Sequence, residues 1–61
     1  MQWSCEMGIV LTDGTWELRT YRVEAADQEG ARVLAAFQAE QECVDRSLAH
    51  LQIFDYSIVK A

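Results

Sequence analysis

Residues 2–18, QWSCEMGIVLTDGTWEL, predict a β-hairpin that decides the fold of this chain. Apolar side chains recur at every second position of the first half, which is the period of a strand with one buried face. These positions are Trp3, Cys5, Met7, Ile9 and Leu11. Asp13-Gly14 follows them, and this dipeptide favours a two-residue type I′ turn, which needs positive φ at both central residues.

A two-residue loop would fix the pairing register of the hairpin. The predicted pairs are Leu11 with Trp16, Ile9 with Leu18 and Met7 with Thr20, all on one face. The second strand then changes phase, because Tyr21 and Val23 alternate out of step with Leu18. A β-bulge near Arg19–Thr20 would restore the inward face, and a strand buried partly on both sides also fits.

An amphipathic helix is expected after the hairpin. Asp27 is a residue type that caps helices, so the helix should begin at Gln28 and run to about Ala49, although no Gly or Pro marks its end. At about 100° per residue an apolar stripe appears, which we expect to face the sheet. The stripe contains Val33, Leu34, Phe37, Val44 and Leu48. The opposite side, expected to face solvent, contains Ala31, Ala35, Gln38, Ala39, Glu42 and Arg46.

Residues Gln52 to Val59 are rich in β-branched and aromatic side chains and predict a third strand. The chain is then one α+β domain over residues 1–61, with ββαβ order and the helix on one face of an antiparallel sheet of strand order 2-1-3. Pairing beside the second strand would instead give a parallel βαβ unit. The first topology is favoured because strand one is the most apolar and suits the centre of a sheet.

The chain is short and acidic. Its 61 residues include ten Asp and Glu against five Lys and Arg, for a net charge of −5. Direct nucleic-acid binding is excluded, since a phosphate-binding surface needs the opposite charge excess. Neither a signal peptide nor an apolar segment long enough to span a membrane is recognisable, which predicts a cytoplasmic protein with reduced thiols.

Nothing in the sequence predicts a catalytic, cofactor or metal site. Cys5, Trp3 and Trp16 alternate in step with the apolar residues of the hairpin, so we expect all three in the core. Cys43 is expected toward the flank of the helix. His50 is expected near the helix C-terminus, where it should interact with the helix dipole. Whether the two cysteines form a disulfide is left open, because sequence gives no separation between them. We therefore expect a protein that is not an enzyme.

The acidic excess is concentrated between Asp27 and Arg46, where five carboxylates stand against two arginines. Some carboxylates have local roles, such as capping and pairing within the helix. The remaining ones either keep a small protein soluble or present a negative surface to a basic groove, in the way that DNA phosphates would. The candidate partner-binding residues are Glu24, Asp27, Glu40, Glu42 and Asp45.

In size, charge and element order the whole chain resembles the small, acidic, single-domain anti-CRISPR proteins of phages and mobile elements, most of all inhibitors of type I effector complexes such as type I-C. These proteins share no diagnostic motif, so no residue role is carried over. The resemblance implies a non-enzymatic inhibitor in the cytoplasm of a bacterial host. Such an inhibitor would use DNA mimicry to cover a basic nucleic-acid-binding surface of an effector subunit.

A second hypothesis is a small structural or assembly domain. Its sheet edge or open sheet face would then pair with a copy of itself or with another subunit. The inhibitor hypothesis favours a monomer over a dimer, with no direct nucleic-acid or membrane partner.

Overall fold

The computed structural model describes residues 1–61 as a three-stranded antiparallel sheet with one helix packed on it. Strand β1 spans Gln2–Leu11, β2 spans Trp16–Glu24, helix α1 spans Gln28–Asp45 and β3 spans His50–Lys60. The strands lie in the order β2-β1-β3, and both outer strands run antiparallel to β1. The predicted α+β fold, ββαβ order and strand order 2-1-3 are confirmed, and the parallel βαβ alternative is excluded.

The turn between β1 and β2 is one residue longer than predicted. Gly14 has a φ of 90°, whereas Asp13 lacks the positive φ that a type I′ turn requires. The Gly14 N–H donates to the Leu11 carbonyl at 3.0 Å, and the Leu11 N–H donates to the Thr15 carbonyl at 2.7 Å. These bonds close a three-residue loop, in which a glycine at positive φ forms a bulge after a tight turn.

The longer loop shifts the register of β2 by one residue, so the predicted pairing is wrong. Val10, not Leu11, lies opposite Trp16. Because side chains alternate along a strand, a shift of one residue moves every side chain to the other face of the sheet. Trp16 and Leu18 therefore lie on the open face, and Tyr21 and Val23 face α1.

The bulge predicted near Arg19–Thr20 is absent, because the turn at Gly14 already supplies the extra residue. Pairing between β1 and β2 continues without interruption along the whole of β2. The irregularities lie instead between β1 and β3, at Glu6/Met7 and at Val10/Leu11. They bend an outer strand of the sheet, where bulges are most often found.

The core lies between α1 and the sheet, and the strands supply its large side chains. These are Trp3, Met7, Ile9, Val23 and Ile58, and β1 adds the smaller Cys5. The helix supplies small side chains at every fourth position: Ala31, Ala35, Ala39 and Cys43. The predicted orientation of α1 is therefore wrong. The alanine side faces the sheet, and the stripe that contains Phe37 faces solvent.

The helix ends before the predicted position near Ala49, through a local hydrogen-bond pattern. Ser47 has a φ of 53°. Its N–H donates to the Val44 carbonyl at 3.1 Å, and the Leu48 N–H donates to the Cys43 carbonyl at 2.8 Å. This is a Schellman ending, with serine in the left-handed position that glycine usually occupies. Leu48 then packs against the core beyond the end of the helix.

Candidate interaction surface

The outer face of α1, formed by Val33, Leu34, Phe37 and Val44, exposes large apolar side chains. Phe37 is 67% exposed and Val44 is 69% exposed. The four positions lie on the side of the helix opposite the buried alanine row. None of them belongs to the core, so the stability of the fold does not account for their apolar character. Exposed apolar side chains grouped on one face and rimmed by polar residues are typical of a binding surface.

Two carboxylates flank the outer face of α1. Glu40 lies on one side of the stripe and Asp45 on the other, about 140° apart around the helix. Both side chains are exposed and neither forms an ion pair. Asp45 accepts a hydrogen bond from Gln41 Nε2 at 3.2 Å. The surface is therefore an apolar stripe with one carboxylate at each edge, both in the C-terminal half of α1.

Two other candidate carboxylates, Glu24 and Asp27, lie at the opposite end of α1 and bind local groups. The α-amino group of Met1 donates to Glu24 and holds the pKa of this carboxyl below its usual value. Asp27 accepts the Gly30 N–H at 2.8 Å, which confirms its predicted role as N-cap. The 18 residues of α1 separate Asp27 from Asp45 by about 27 Å.

Glu42 faces the edge of the sheet. It pairs with Arg19 at 2.8 Å and Arg46 at 3.7 Å, and it accepts the hydroxyl of Tyr21 at 3.2 Å. The nearby carboxylate raises the pKa of Arg19 above its ordinary value. For Tyr21, burial raises the pKa first, and the Glu42 charge raises it further. Glu42 thus joins α1 to β2, and its charge is offset within the chain.

Of the five predicted partner-binding residues, the structure places two, Glu40 and Asp45, beside the exposed apolar stripe. The other three lie elsewhere: Glu24, Asp27 and Glu42. Sequence reasoning assigned the stripe itself to the core and so missed it as a surface. The available signal was the four-residue spacing of small side chains, which permits close packing of a helix on a sheet.

The open face of the sheet carries a second apolar region, which we call the sheet patch: Val10, Trp16, Leu18 and Phe54. Gly8 lies beneath it, paired with Leu18 on one side and Phe54 on the other. The Phe54 ring occupies the space that a side chain at Gly8 would fill. Trp16, expected in the core, is 54% exposed, and its ring centroid lies 5.9 Å from that of Phe54.

The residues considered for chemistry in the sequence, Cys5, Cys43 and His50, lie in positions that fit a structural role. Both cysteines are buried free thiols, and burial raises the pKa of each above the usual value. The Cys5 thiol donates to the Ala31 carbonyl at 3.8 Å. Ala31 precedes Cys43 by twelve helical residues, or about 18 Å along the helix, so Cys5 lies too far from Cys43 for a disulfide. His50 begins β3 opposite Leu11, so its predicted place at the helix C-terminus is wrong.

The surface has one cavity, of about 240 Å³, between the first turns of α1 and β3. An exposed ion pair, Glu29 with Arg32, forms one wall, and Asp55, Tyr56 and Ser57 line the other. No group of three or more His, Cys, Asp or Glu side chains is close enough to hold a metal ion. No helix combines the length and the hydropathy needed to span a bilayer.

Comparison of the chain with protein-family models, with curated proteins and with solved structures finds no match.

Proposed function

We propose that this chain is a non-enzymatic binding protein that docks on a basic surface of a protein partner through the outer face of α1. The observation that carries the proposal is the exposure of Phe37 and Val44 on a helix that packs through alanine. Large apolar side chains that the core does not use become stabilising only when a partner covers them. Buried aromatic anchors of this kind contribute most of the energy at many interfaces.

The charges beside the stripe specify the partner. In an antiparallel pairing of two α1 helices, each flank would meet the same flank of the other copy. Neither Glu40 nor Asp45 would then meet a Lys or Arg, and carboxylates of both copies would lie at the rim of a desolvated interface without a cationic partner. A partner with Lys or Arg on both sides of an apolar groove would instead pair with both carboxylates. The outer face of α1 therefore fits a basic partner and not a second copy.

A nucleic-acid-binding surface has the required chemistry. Proteins that hold single strands combine basic side chains for the phosphates with apolar and aromatic side chains for the bases. The outer face of α1 would place Phe37 and its apolar neighbours where bases stack, with Glu40 and Asp45 in place of phosphates. The proposed activity is inhibition, because the bound chain covers the surface that nucleic acid needs.

The test begins with capture of proteins from a bacterial lysate on the immobilised chain, followed by purification of the captured protein. Fluorescence anisotropy then measures how well the chain displaces a labelled dT20 oligonucleotide from that protein. We expect the wild-type chain to displace the strand and Phe37→Ser to weaken displacement at least tenfold. Leu51→Ser is the matched control, since Leu51 is equally exposed but lies on β3.

Charge is tested with Glu40→Gln and Asp45→Asn. We expect weaker binding and a smaller dependence on salt, because each substitution removes one charge from the interface. Glu29→Gln is the control, since this carboxylate is paired with Arg32 at the far end of the helix. Unchanged displacement by the Phe37 variant, or a complex insensitive to salt, would contradict the proposal.

A further inference from the structure

We infer that the outer edge of β2 binds an extended segment of another protein, which joins the sheet as a fourth strand. In the strand order β2-β1-β3, β2 and β3 each have one edge without a neighbouring strand. The backbone of β2 is regular along its free edge, whereas the free edge of β3 is interrupted. The edge of β2 lies apart from the outer face of α1, so the inference does not depend on the proposed function.

The outer edge of β2 presents a regular row of unpaired backbone groups. The Leu11 N–H donates to the Thr15 carbonyl, and the Ala25 N–H donates to the Met1 carbonyl. Because such bonds recur at every second residue of an antiparallel pair, the odd-numbered residues of β2 bond to β1. The even-numbered residues direct their N–H and carbonyl groups outward, where no strand or side chain bonds to them: Trp16, Leu18, Thr20, Arg22 and Glu24.

The outer edge of β3 is interrupted in two ways. Tyr56 and Leu51 have no counterpart in β1, so each forms a bulge in the strand. The Gln28 side chain of α1 donates to the Ile58 carbonyl at 2.8 Å and occupies an acceptor on this edge. Bulges and covered backbone groups are means by which proteins protect an edge strand from pairing. A fourth strand therefore cannot pair regularly with β3.

The edge of β2 lacks this protection. The strand Trp16–Glu24 contains neither proline nor lysine, and its pairing with β1 has no bulge. Its two helix-facing charges are Glu17 and Arg19, which form ion pairs with Arg46 and Glu42. These ion pairs turn both side chains toward α1 and offset their charges, so neither charge guards the edge.

The open-face side chains of β2 specify the segment that fits. Trp16 and Leu18, which belong to the sheet patch, are followed by Thr20 and Arg22. Arg22 forms no ion pair, whereas the neighbouring Glu24 is paired with the α-amino group of the chain. Cross-strand pairs are stabilising when they join apolar residues, threonines or opposite charges. The segment should therefore carry Asp or Glu opposite Arg22 and β-branched apolar residues opposite Leu18 and Trp16.

A second copy of β2 does not have this pattern. A two-fold axis that joins two β2 strands antiparallel pairs all nine residues only when Thr20 lies on the axis. Leu18 then lies opposite Arg22. Trp16 likewise lies opposite Glu24, so the apolar half of each strand meets the charged half of the other. The occupant that fits the edge is therefore a segment of a different chain.

Fluorescence anisotropy with a labelled peptide, TETTTVTV, tests the inference. Paired antiparallel with β2, the peptide places its glutamate opposite Arg22 and its valines opposite Leu18 and Trp16. We expect saturable binding with a dissociation constant below about 1 mM. Hydrogen exchange followed by NMR should slow at the N–H groups of Leu18 and Thr20 in the complex. It should not change at Lys60, whose N–H points outward on β3.

N-methylated peptides provide the matched control. The peptide residues opposite the outward groups of β2 bond to them, and the residues between direct their N–H groups into solvent. N-methylation at the fourth and sixth peptide positions should weaken binding about tenfold or more, because each methyl group removes one hydrogen bond. N-methylation at the third and fifth positions should leave binding unchanged.

A charge exchange tests the predicted direction of the segment. The peptide TKTTTVTV, with lysine in place of glutamate, should bind the wild-type chain about two- to fivefold more weakly. The variant Arg22→Glu should reverse this preference. Phe37→Ser, on the outer face of α1, should bind both peptides as the wild-type chain does.

The inference is overturned if TETTTVTV does not bind, if the two patterns of N-methylation have equal effects, or if exchange slows at Lys60 instead of Leu18. Self-association of the chain that the peptide inhibits would also overturn it, since a second copy would then occupy the edge. Displacement of the oligonucleotide is measured without the peptide, so the proposed function can hold or fail independently.

Discussion

The two sides of α1 differ in the opposite sense to an ordinary amphipathic helix. Its inner side is a row of alanines ending in Cys43, and every one of these residues is buried. Its outer side carries Val33, Leu34, Phe37 and Val44, all exposed. On this helix the space left by the sheet therefore decides which side chains are buried, more than the size of each side chain does.

This difference separates residues that hold the fold from residues that are free for another role. The strands fill the core with Trp3, Met7 and Ile9, so small helical side chains allow α1 to lie close to the sheet. Bulky residues on the outer side add nothing to this packing. Substitutions on the two sides should consequently have separable effects on stability and on binding.

The largest expected effect comes from truncating the sheet side of the core. Ile9 is fully buried, so Ile9→Ala should cost about 2–5 kcal/mol, through lost burial and the cavity left behind. Phe37→Ala removes more atoms but should change the free energy of unfolding by less than about 0.5 kcal/mol. Urea unfolding followed by circular dichroism measures both variants. Equal losses would show that the outer face of α1 is part of the stabilising core.

A smaller effect is expected from enlarging the inner side of α1. Ala35→Leu adds atoms where the helix meets the sheet, and overpacking of this kind costs about 1–3 kcal/mol. Gln41→Leu, on the outward side of the same helix, is the matched control and should stay within about 0.5 kcal/mol. Thermal unfolding of the two variants compares the sides directly. A well-tolerated leucine at position 35 would contradict close packing of the helix.

The smallest expected effect concerns the residue that ends α1 and so sets the length of both sides. Ser47 has a left-handed backbone, which costs a residue with a side chain about 1–2 kcal/mol more than glycine. Ser47→Gly should raise the free energy of unfolding by up to about 1 kcal/mol. In the control, Ser57→Gly within β3 should lower it, since glycine weakens a strand. A destabilised Ser47 variant would argue against the Schellman ending.

Features encoded by neighbouring residues were predictable from the sequence. The alternation of β1, the cap at Asp27 and the β-branched residues of β3 each specify a local structure, and the structure has all three. The predicted strand order 2-1-3 is also found, because the most apolar strand suits the centre of the sheet.

The errors arose where one local choice decides a distant contact. Asp13-Gly14 permits a loop of two residues or of three. This difference of one residue in loop length reverses the face of the sheet that each β2 side chain occupies. The helix sequence offers two stripes, one of large residues and one of small, and hydrophobicity alone selects the wrong one. For the candidate surface, the carboxylates and the apolar stripe were both visible in the sequence, but the exposure of the stripe between Glu40 and Asp45 was not.

The sequence by itself determined that this chain forms two strands, a helix and a third strand, and that it carries a charge of −5. It did so because turns, caps and periodicity act over a few residues. Only the tertiary structure decided which side of α1 is buried and which side of the sheet Trp16 occupies. The buried side of α1 depends on how much volume the strands supply at a distance, and this leaves Phe37 at the surface. The position of Trp16 depends on the three-residue turn at Gly14, which sets the register of β2.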